Sequence, residues 1–352
     1  MRTFINGIGC ISAQNTFDAV FSEGFEVNEN DNFLKIYAPP YKDYISPISS
    51  RRMANGVKNG IVASMLAIKE AGIDTFDAII TGTGMGCIED SDKFLKAILD
   101  NNEEFLTPTS FIQSTHNTVG AQIALGMQCK AYNFTYVNGA VSFESALMDA
   151  KLQIDANEAT SILIGGIDEM TDYTQALFKL AGFMKADNHA PYRILDSKTT
   201  GAAFSEGATF FVLGVEKTDA SYAEFLDIEM WNVLQTDDLP AKVTMFLAKN
   251  DLQFGDIDAV ILGYNGDSKF DSYYKMLAAH FSDTPQVYYK HLSGEYNTAS
   301  AFGLYIGANI LKTQQIPDIL KTNNATKTAF KKILLYNQYR GIDHGFTLIS
   351  QC

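Results

Sequence analysis

Apolar positions along the chain fall into short β-branched runs that alternate with longer segments of helical spacing. Asp77 opens DAIITGTGMGCIEDSDKFLKAI, and Asp258 opens DAVILGYNGDSKFDSYYKML. In both, an apolar run predicts a buried strand, a glycine-containing loop follows, and a polar start leads into an apolar-periodic helix. Farther on, TYVNGAVSFESALMDA from Thr135 and YYKHLSGEYNTASAFGLYIGA from Tyr288 each read as a strand, a turn ending in glycine, and a helix. TSILIGG from Thr160 and KKILLYN from Lys331 are strand-like, and the closing strands are GATFFVLGV from Gly207 and GFTLIS from Gly345. One β-α-β-α-β-β order therefore occurs twice, over residues 1–215 and 216–352. Such strands, alternating with helices, predict an α/β protein with parallel or mixed sheets buried on both faces. Self-similarity at half the chain length predicts a duplication.

Laying the two parts over each other puts Asn138-Gly139-Ala140 on Ser293-Gly294-Glu295, and Gly82-Thr83-Gly84 on Gly263-Tyr264-Asn265. The two helix-start loops then surround a pseudo-twofold axis, and function is expected at the carboxyl ends of the strands. The first loop, in NFTYVNGAVSFESAL, is a strand-turn-helix elbow of the kind that holds a nucleophile at the positive end of a helix. Its central residue is Ala140, which carries no chemistry.

Composition narrows the function classes. Hydrophobic residues make up 46% of the chain and charged residues 19%, with no low-complexity stretch. A formal net charge of −14 disfavours nucleic acid and anionic membranes as partners. Cys10, Cys87, Cys129 and Cys352 show no CxxC pairing, which predicts a reducing, cytoplasmic setting. No window approaches eighteen consecutive apolar residues, so no membrane span is expected. The histidines form no HxxxH or His/Cys cluster, so neither a metal site nor a metal cofactor is expected. GTGMGC is not GxGxxG and reads as a close-packed turn, not a dinucleotide site.

These motifs together resemble the β-ketoacyl synthases, which have a thiolase-like fold. PTSFIQSTHNTVGAQIALGM from Pro108 is similar to the family segment before the nucleophile, ATSILIGGIDE from Ala159 to the strand ending in Gly-Gly, and RILDSKTTGAAFSEGATFFVLG from Arg193 to the "GEGA" block. NQYRGIDHGFTLIS fits over the family's closing Asn-x-Phe-Gly-Phe-Gly-Gly-x-Asn motif. The resemblance implies a duplicated thiolase-like α/β fold, layered α-β-α-β-α with two mixed five-stranded sheets. It also locates the family's Cys-His-His triad. The cysteine position falls on Ala140, the first histidine on Asn265 and the second on Glu295, so the resemblance implies no catalytic residue. Glu295, at an expected helix start, should be a carboxylate stabilised by the helix dipole, which opposes enolate chemistry. Lys290 and Glu206 match family positions and are expected to be structural members of an ion-pair network. Gly341 stands at the gating phenylalanine, and Arg340, Ile342 and Asp343 replace glycines, so a hinged acyl gate is not expected.

Other candidates have plainer roles. Ser142 and Ser145 follow the elbow outside any GxSxG context, and Ser142 reads as a cap or first-turn residue. Cys87 reads as a small buried hydrophobe. His291 occupies a family serine position and inherits no role. His116 and Asn117, in STHNTVG, are expected at a dimer contact, and Phe134, Tyr136 and Phe143 are candidate walls of an acyl tunnel. The resemblance therefore implies a chain-length factor: a silent subunit that pairs with an active ketosynthase paralogue of a polyketide, aryl polyene or flexirubin-type pathway. An acyl carrier protein would be met indirectly, through that partner. The rival readings are a malonyl-carrier decarboxylase or altered condensing enzyme, and an acyl-binding homodimer.

Overall fold

The computed structural model describes residues 1–352. Ten strands form one sheet. In chain order the main elements are β1 (Phe4–Ile11), α1 (Asn55–Ala71), β2 (Ala78–Gly82), α2 (Ile88–Asp100), α3 (Pro108–Gln113), α4 (Thr118–Met127), β3 (Tyr132–Tyr136), α5 (Ser142–Asp155), β4 (Ser161–Asp168), α6 (Asp172–Leu180) and β5 (Gly207–Gly214). There follow β6 (Ala223–Asn232), α7 (Leu239–Lys249), β7 (Ala259–Leu262), α8 (Asp271–His280), β8 (Gln286–Tyr288), α9 (Lys290–Ser293), α10 (Ser300–Thr313), β9 (Lys332–Tyr339) and β10 (Asp343–Ser350). The spatial order is β8-β7-β9-β10-β6-β1-β5-β4-β2-β3. Read outward from the centre, β1-β5-β4-β2-β3 and β6-β10-β9-β7-β8 follow one connectivity. Within the sheet the two five-stranded parts pair only through β1 and β6, at Phe4 and Ile5 with Glu224 and Ala223.

Alternation along the strands explains the layers. Ile162, Ile164, Phe211 and Leu213 face a central layer with α5 and α10, while Leu163, Phe210 and Val212 face α1 and α4 on the outside. In the second part, Ile261, Ile333 and Leu335 face the same central layer, and Val260, Leu262 and Leu334 face α7 and α8. Strands clothed on both sides need apolar residues at successive positions, which is the pattern the sequence shows. Every residue of α10 from Ser300 to Leu311 is buried, as a helix apolar on all sides requires. The resulting order of layers is α-β-α-β-α.

One expectation fails at the sheet's end. β3 is not buried on both faces: Tyr132 is 44% and Phe134 46% exposed. β3 pairs with β2 alone, leaving a row of free backbone groups. At the opposite end, the β8 edge is covered by a bridge from Val287 to Lys321. No helix of the chain is long and apolar enough to cross a membrane.

Candidate functional site

The elbow is built from its turn outward. β3 ends at Tyr136, Gly139 takes the left-handed φ of +53° that lets the chain reverse, and a short 3-10 turn over Gly139–Val141 leads into α5. Beneath it, a Cβ on Gly82 would lie 2.6 Å from the Ser142 carbonyl carbon, so β2 must end in glycine there. Ser142 Oγ accepts from Asn138 N–H at 2.8 Å and donates to the Gly139 carbonyl at 2.7 Å. Ser145 Oγ donates to the Val141 carbonyl at 2.8 Å. Both hydroxyls hold the turn, as expected for Ser142.

Ala140 is 3% exposed. Its N–H faces the carboxylate of Asp343, opposing the burial that raises the Asp343 pKa. Asp343 Oδ2 also lies 3.3 Å from where a Gly139 Cβ would stand. A negative side chain of the protein itself thus stands beside the turn whose N–H groups could steady an oxyanion. Four residues on, Glu144 is 1% exposed and neither carboxyl oxygen has a hydrogen-bond partner. Burial pushes its pKa up to about 7, with the Ser300 hydroxyl and the Lys290 charge acting in the opposite direction.

The second loop carries a different set. Lys290 Nζ lies 2.8 Å from Glu295 Oε2, and Asn265 Nδ2 donates to the same oxygen at 2.7 Å. Lys290, Asn265 and Glu295 are 1%, 5% and 2% exposed. α10 begins only at Ser300, after the short α9 and Gly294. The expected dipole support for Glu295 is therefore replaced by an ammonium and an amide. The main chain of Glu295 is fixed as well, through N–H to the Ala203 carbonyl at 2.9 Å and C=O to Ser205 N–H at 3.0 Å.

Glu206 does not join this network. It has no cation partner and accepts instead from Met170 N–H at 3.2 Å, with burial raising its pKa. Lys290 is paired with Glu295, whereas Glu206, expected in an ion-pair network, has no cation partner.

The closing motif forms a tight hairpin, with β9 and β10 in register from Lys332↔Ser350 to Tyr339↔Asp343. Arg340 and Gly341 both have positive φ, +56° and +68°, and Ile342 N–H donates to the Tyr339 carbonyl at 3.1 Å. Arg340 stacks over Phe183 at 4.0 Å. Gly341 is the tip of a hairpin, where the family places its gate.

The tunnel-wall residues separate. Phe143 is 1% exposed and packs on Phe211 at 5.8 Å, so it belongs to the closed core and walls nothing. Phe134 and Tyr136 stand on the open edge strand, 4.9 Å apart. His116 and Asn117 are exposed beside Phe111 (56%) and Ile112 (61%). Cys87 is buried and its thiol is pushed up to about 12, first by burial and then by the Glu169 and Asp90 charges.

Three positioning residues had no role in the sequence reading. Asp168 accepts from the N–H groups of Gly84 (2.8 Å), Met85 (3.2 Å) and Thr298 (2.8 Å), tying the first glycine loop to the approach of α10. Glu169 accepts from Gly56 N–H at 2.6 Å and Glu89 N–H at 2.9 Å, at the starts of α1 and α2. Lys185 Nζ donates to the Gly266 carbonyl at 2.8 Å, and burial lowers its pKa to about 8. For Asp168 and Glu169 the available signal was two adjacent acids closing the strand that contains Gly165-Gly166; Lys185 carried none.

Residues 23–219, more than half of the chain, match the model of the β-ketoacyl synthase N-terminal domain. The chain belongs to the β-ketoacyl synthase family. Among curated family members, 3-oxoacyl-[acyl-carrier-protein] synthase 2 of Staphylococcus aureus strain N315 is 22% identical over 234 residues, 60% of this chain and 55% of that protein. The match thus spans little more than half the length of these relatives. The ishigamide ketosynthase/chain length factor structure aligns with a TM-score of 0.80 at 19% identity, covering 100% of this chain and 99% of that one. A β-ketoacyl synthase from Burkholderia phymatum STM815 gives 0.79 at 17%, covering 100% and 99%. A ketosynthase in complex with its chain length factor from Xenorhabdus doucetiae gives 0.75 at 13%, covering 100% and 98%. At these identities the likeness is one of fold, and this family member has the thiolase-like ketosynthase fold.

Proposed function

We propose that this chain is a catalytically silent ketosynthase-like subunit, a chain-length factor, that pairs with an active β-ketoacyl-carrier-protein synthase and shapes the space into which the acyl chain grows. In this reading Ala140, Asn265 and Glu295 stand where the Cys-His-His triad would be, and residues 1–215 and 216–352 are its two ketosynthase-like halves. The observation that carries it is the buried Lys290–Glu295–Asn265 array, with Asp343 against the Ala140 amide. A thioester needs a nucleophile and donors free for the oxyanion, and an enolate needs neutral or positive neighbours. This centre offers an alanine, an amide met by a carboxylate and a second carboxylate held in place.

The open β3 edge supports pairing. Exposed backbone flanked by the exposed Tyr132, Phe134 and Val137 is the kind of strand edge that takes up another chain. In this reading the exposed His116 and Asn117 would join the contact, and Phe134 and Tyr136 would face a space completed by the partner. A carrier protein, itself acidic, would dock on the partner and not on a chain of net charge −14.

Co-expression with a Cys-His-His ketosynthase from the same source, followed by sizing and native mass, tests the pairing. A one-to-one complex whose product length changes with substitutions at Tyr136 is expected. A stable homodimer that ignores the ketosynthase would defeat the reading in favour of an acyl-binding homodimer. Carbon dioxide release from malonyl carrier by the isolated chain would defeat it in favour of a decarboxylase.

A further inference from the structure

A cavity of about 470 Å³ opens where the two five-stranded parts meet, between the loop after β1, the end of α1, Tyr222 and the middle of α10. It shares no lining residue with the elbow or the Lys290–Glu295 pair. Its lining is mixed, with Phe17, Phe21 and Leu66 among its apolar walls and Thr16, Lys69, Glu70 and Asn309 among its polar ones. Glu70 also lines it, but that carboxylate is already engaged: it accepts from Ile8 N–H at 2.7 Å and from the Tyr222 hydroxyl.

The remaining polar groups are open to a ligand. Tyr305 is 8% exposed, lies edge-on to Phe21 at 5.9 Å, and its hydroxyl makes no hydrogen bond within the chain. Asn309 is 7% exposed; its Nδ2 donates to the Tyr305 carbonyl at 2.9 Å, which leaves Oδ1 without a donor. Lys69 lines the cavity, is exposed, and forms no ion pair with any acid of the chain. The Tyr305 phenol and the unpaired Lys69 ammonium are two donors on the lining of one cavity, set against the single Glu70 charge there, a combination open to a single anionic head.

We propose that this seam cavity binds an amphipathic monoanion, its apolar body against Phe17, Phe21 and Leu66 and its head on Lys69 and the Tyr305 hydroxyl. A chain carbon needs about the room of a water, roughly 30 Å³, so the space takes a body of about ten carbons with margin. Because the walls come from both parts of the chain, occupancy stabilises the folded protein by linkage.

Titration of the full chain with decanoate, decanol and decylammonium, by calorimetry and thermal unfolding, tests this. Decanoate is expected to bind saturably and raise Tm, with decanol weaker and decylammonium weakest. Leu66→Trp, which fills the cavity, should abolish binding; should that variant not fold, Ala19→Trp fills the same space from the loop. Tyr305→Phe should weaken decanoate about tenfold, and Lys69→Glu should reverse the preference toward decylammonium. Absence of saturable decanoate binding overturns the proposal. So does binding unchanged in a folded Leu66→Trp or Ala19→Trp variant, or an order of affinities indifferent to Lys69→Glu.

Discussion

The surroundings of Ala140 would oppose a thiolate there. A cysteine at a helix start usually has a lowered pKa because the dipole favours the thiolate. Here Asp343 faces the same amide, and Glu144 lies one turn on. Ala140→Cys should therefore give a thiol that alkylates with a midpoint at or above the ordinary value of about 8.5. Adding Asp343→Gly should lower that midpoint by about one unit; equal midpoints in the two variants would refute a role for Asp343. The Lys290–Glu295 pair makes a second residue-scale case. Removing one partner strands a buried charge, so Lys290→Met should cost about 3–5 kcal/mol, whereas Lys290→Met with Glu295→Leu should recover most of it. Urea unfolding of both variants measures this, and a single-variant cost below about 1 kcal/mol would contradict it. The sequence made legible the elbow at Ala140 and the loops that carry Asn265 and Glu295, because local spacing marks a strand, a turn and a helix. It could not show that Asp343 meets Ala140 or that Glu295 takes Lys290 and Asn265, since those contacts join segments far apart in the chain. Asp168 and Glu169 escaped notice for the same reason: whether an acid is a surface charge or a buried bolt depends on what packs over it.

At the scale of elements, strands with continuous apolar runs were the easiest to read. β2, β4, β5, β7, β9 and β10 are clothed on both faces, and their composition shows it. β1 and β6, the two that join the parts, were not assigned. FINGIGCI is broken by glycines and an asparagine, because α1 packs directly on β1, and β6 alternates buried and half-exposed positions. β3 was assigned but placed wrongly, since YNFTY has the aromatic and β-branched content of a strand whether its outer side meets a helix, solvent or another chain. That ambiguity sets the element-scale prediction. Phe134→Lys on the open edge should leave the isolated chain within about 0.5 kcal/mol of its original stability. Charge on a pairing edge opposes strand addition, so the same variant should lose the one-to-one complex on a sizing column. A variant that pairs normally would move the partner surface elsewhere.

Across the whole molecule, buried titratable groups shape stability in opposite directions. Glu144 and Glu169 are raised by burial from 4.5 to about 7. Between those values the unfolded chain has released protons that the folded chain keeps, so each carboxyl makes stability fall as pH rises, by up to about 3 kcal/mol. His291 is lowered by burial from 6.5 to about 3. Over that window the unfolded chain binds a proton that the folded chain refuses, so His291 makes stability rise with pH. His344 acts in the same sense, again through burial. The opposing slopes overlap between about pH 4.5 and 6.5, where Glu144, Glu169 and His291 each contribute about 1.4 kcal/mol per pH unit. The intact protein should therefore show a shallow profile there that conceals steep components. Glu144→Gln removes one falling component, so its stability relative to the parent should grow from near pH 4.5 to pH 7 and then level. His291→Gln should do the reverse, gaining most at acid pH and nothing above about pH 6.5. Guanidinium unfolding of the parent and both variants at half-unit intervals from pH 4.5 to 8 decides the matter. Parallel curves would mean that these groups titrate alike in the folded and unfolded chain, and that water reaches both Glu144 on α5 and His291 under Tyr288.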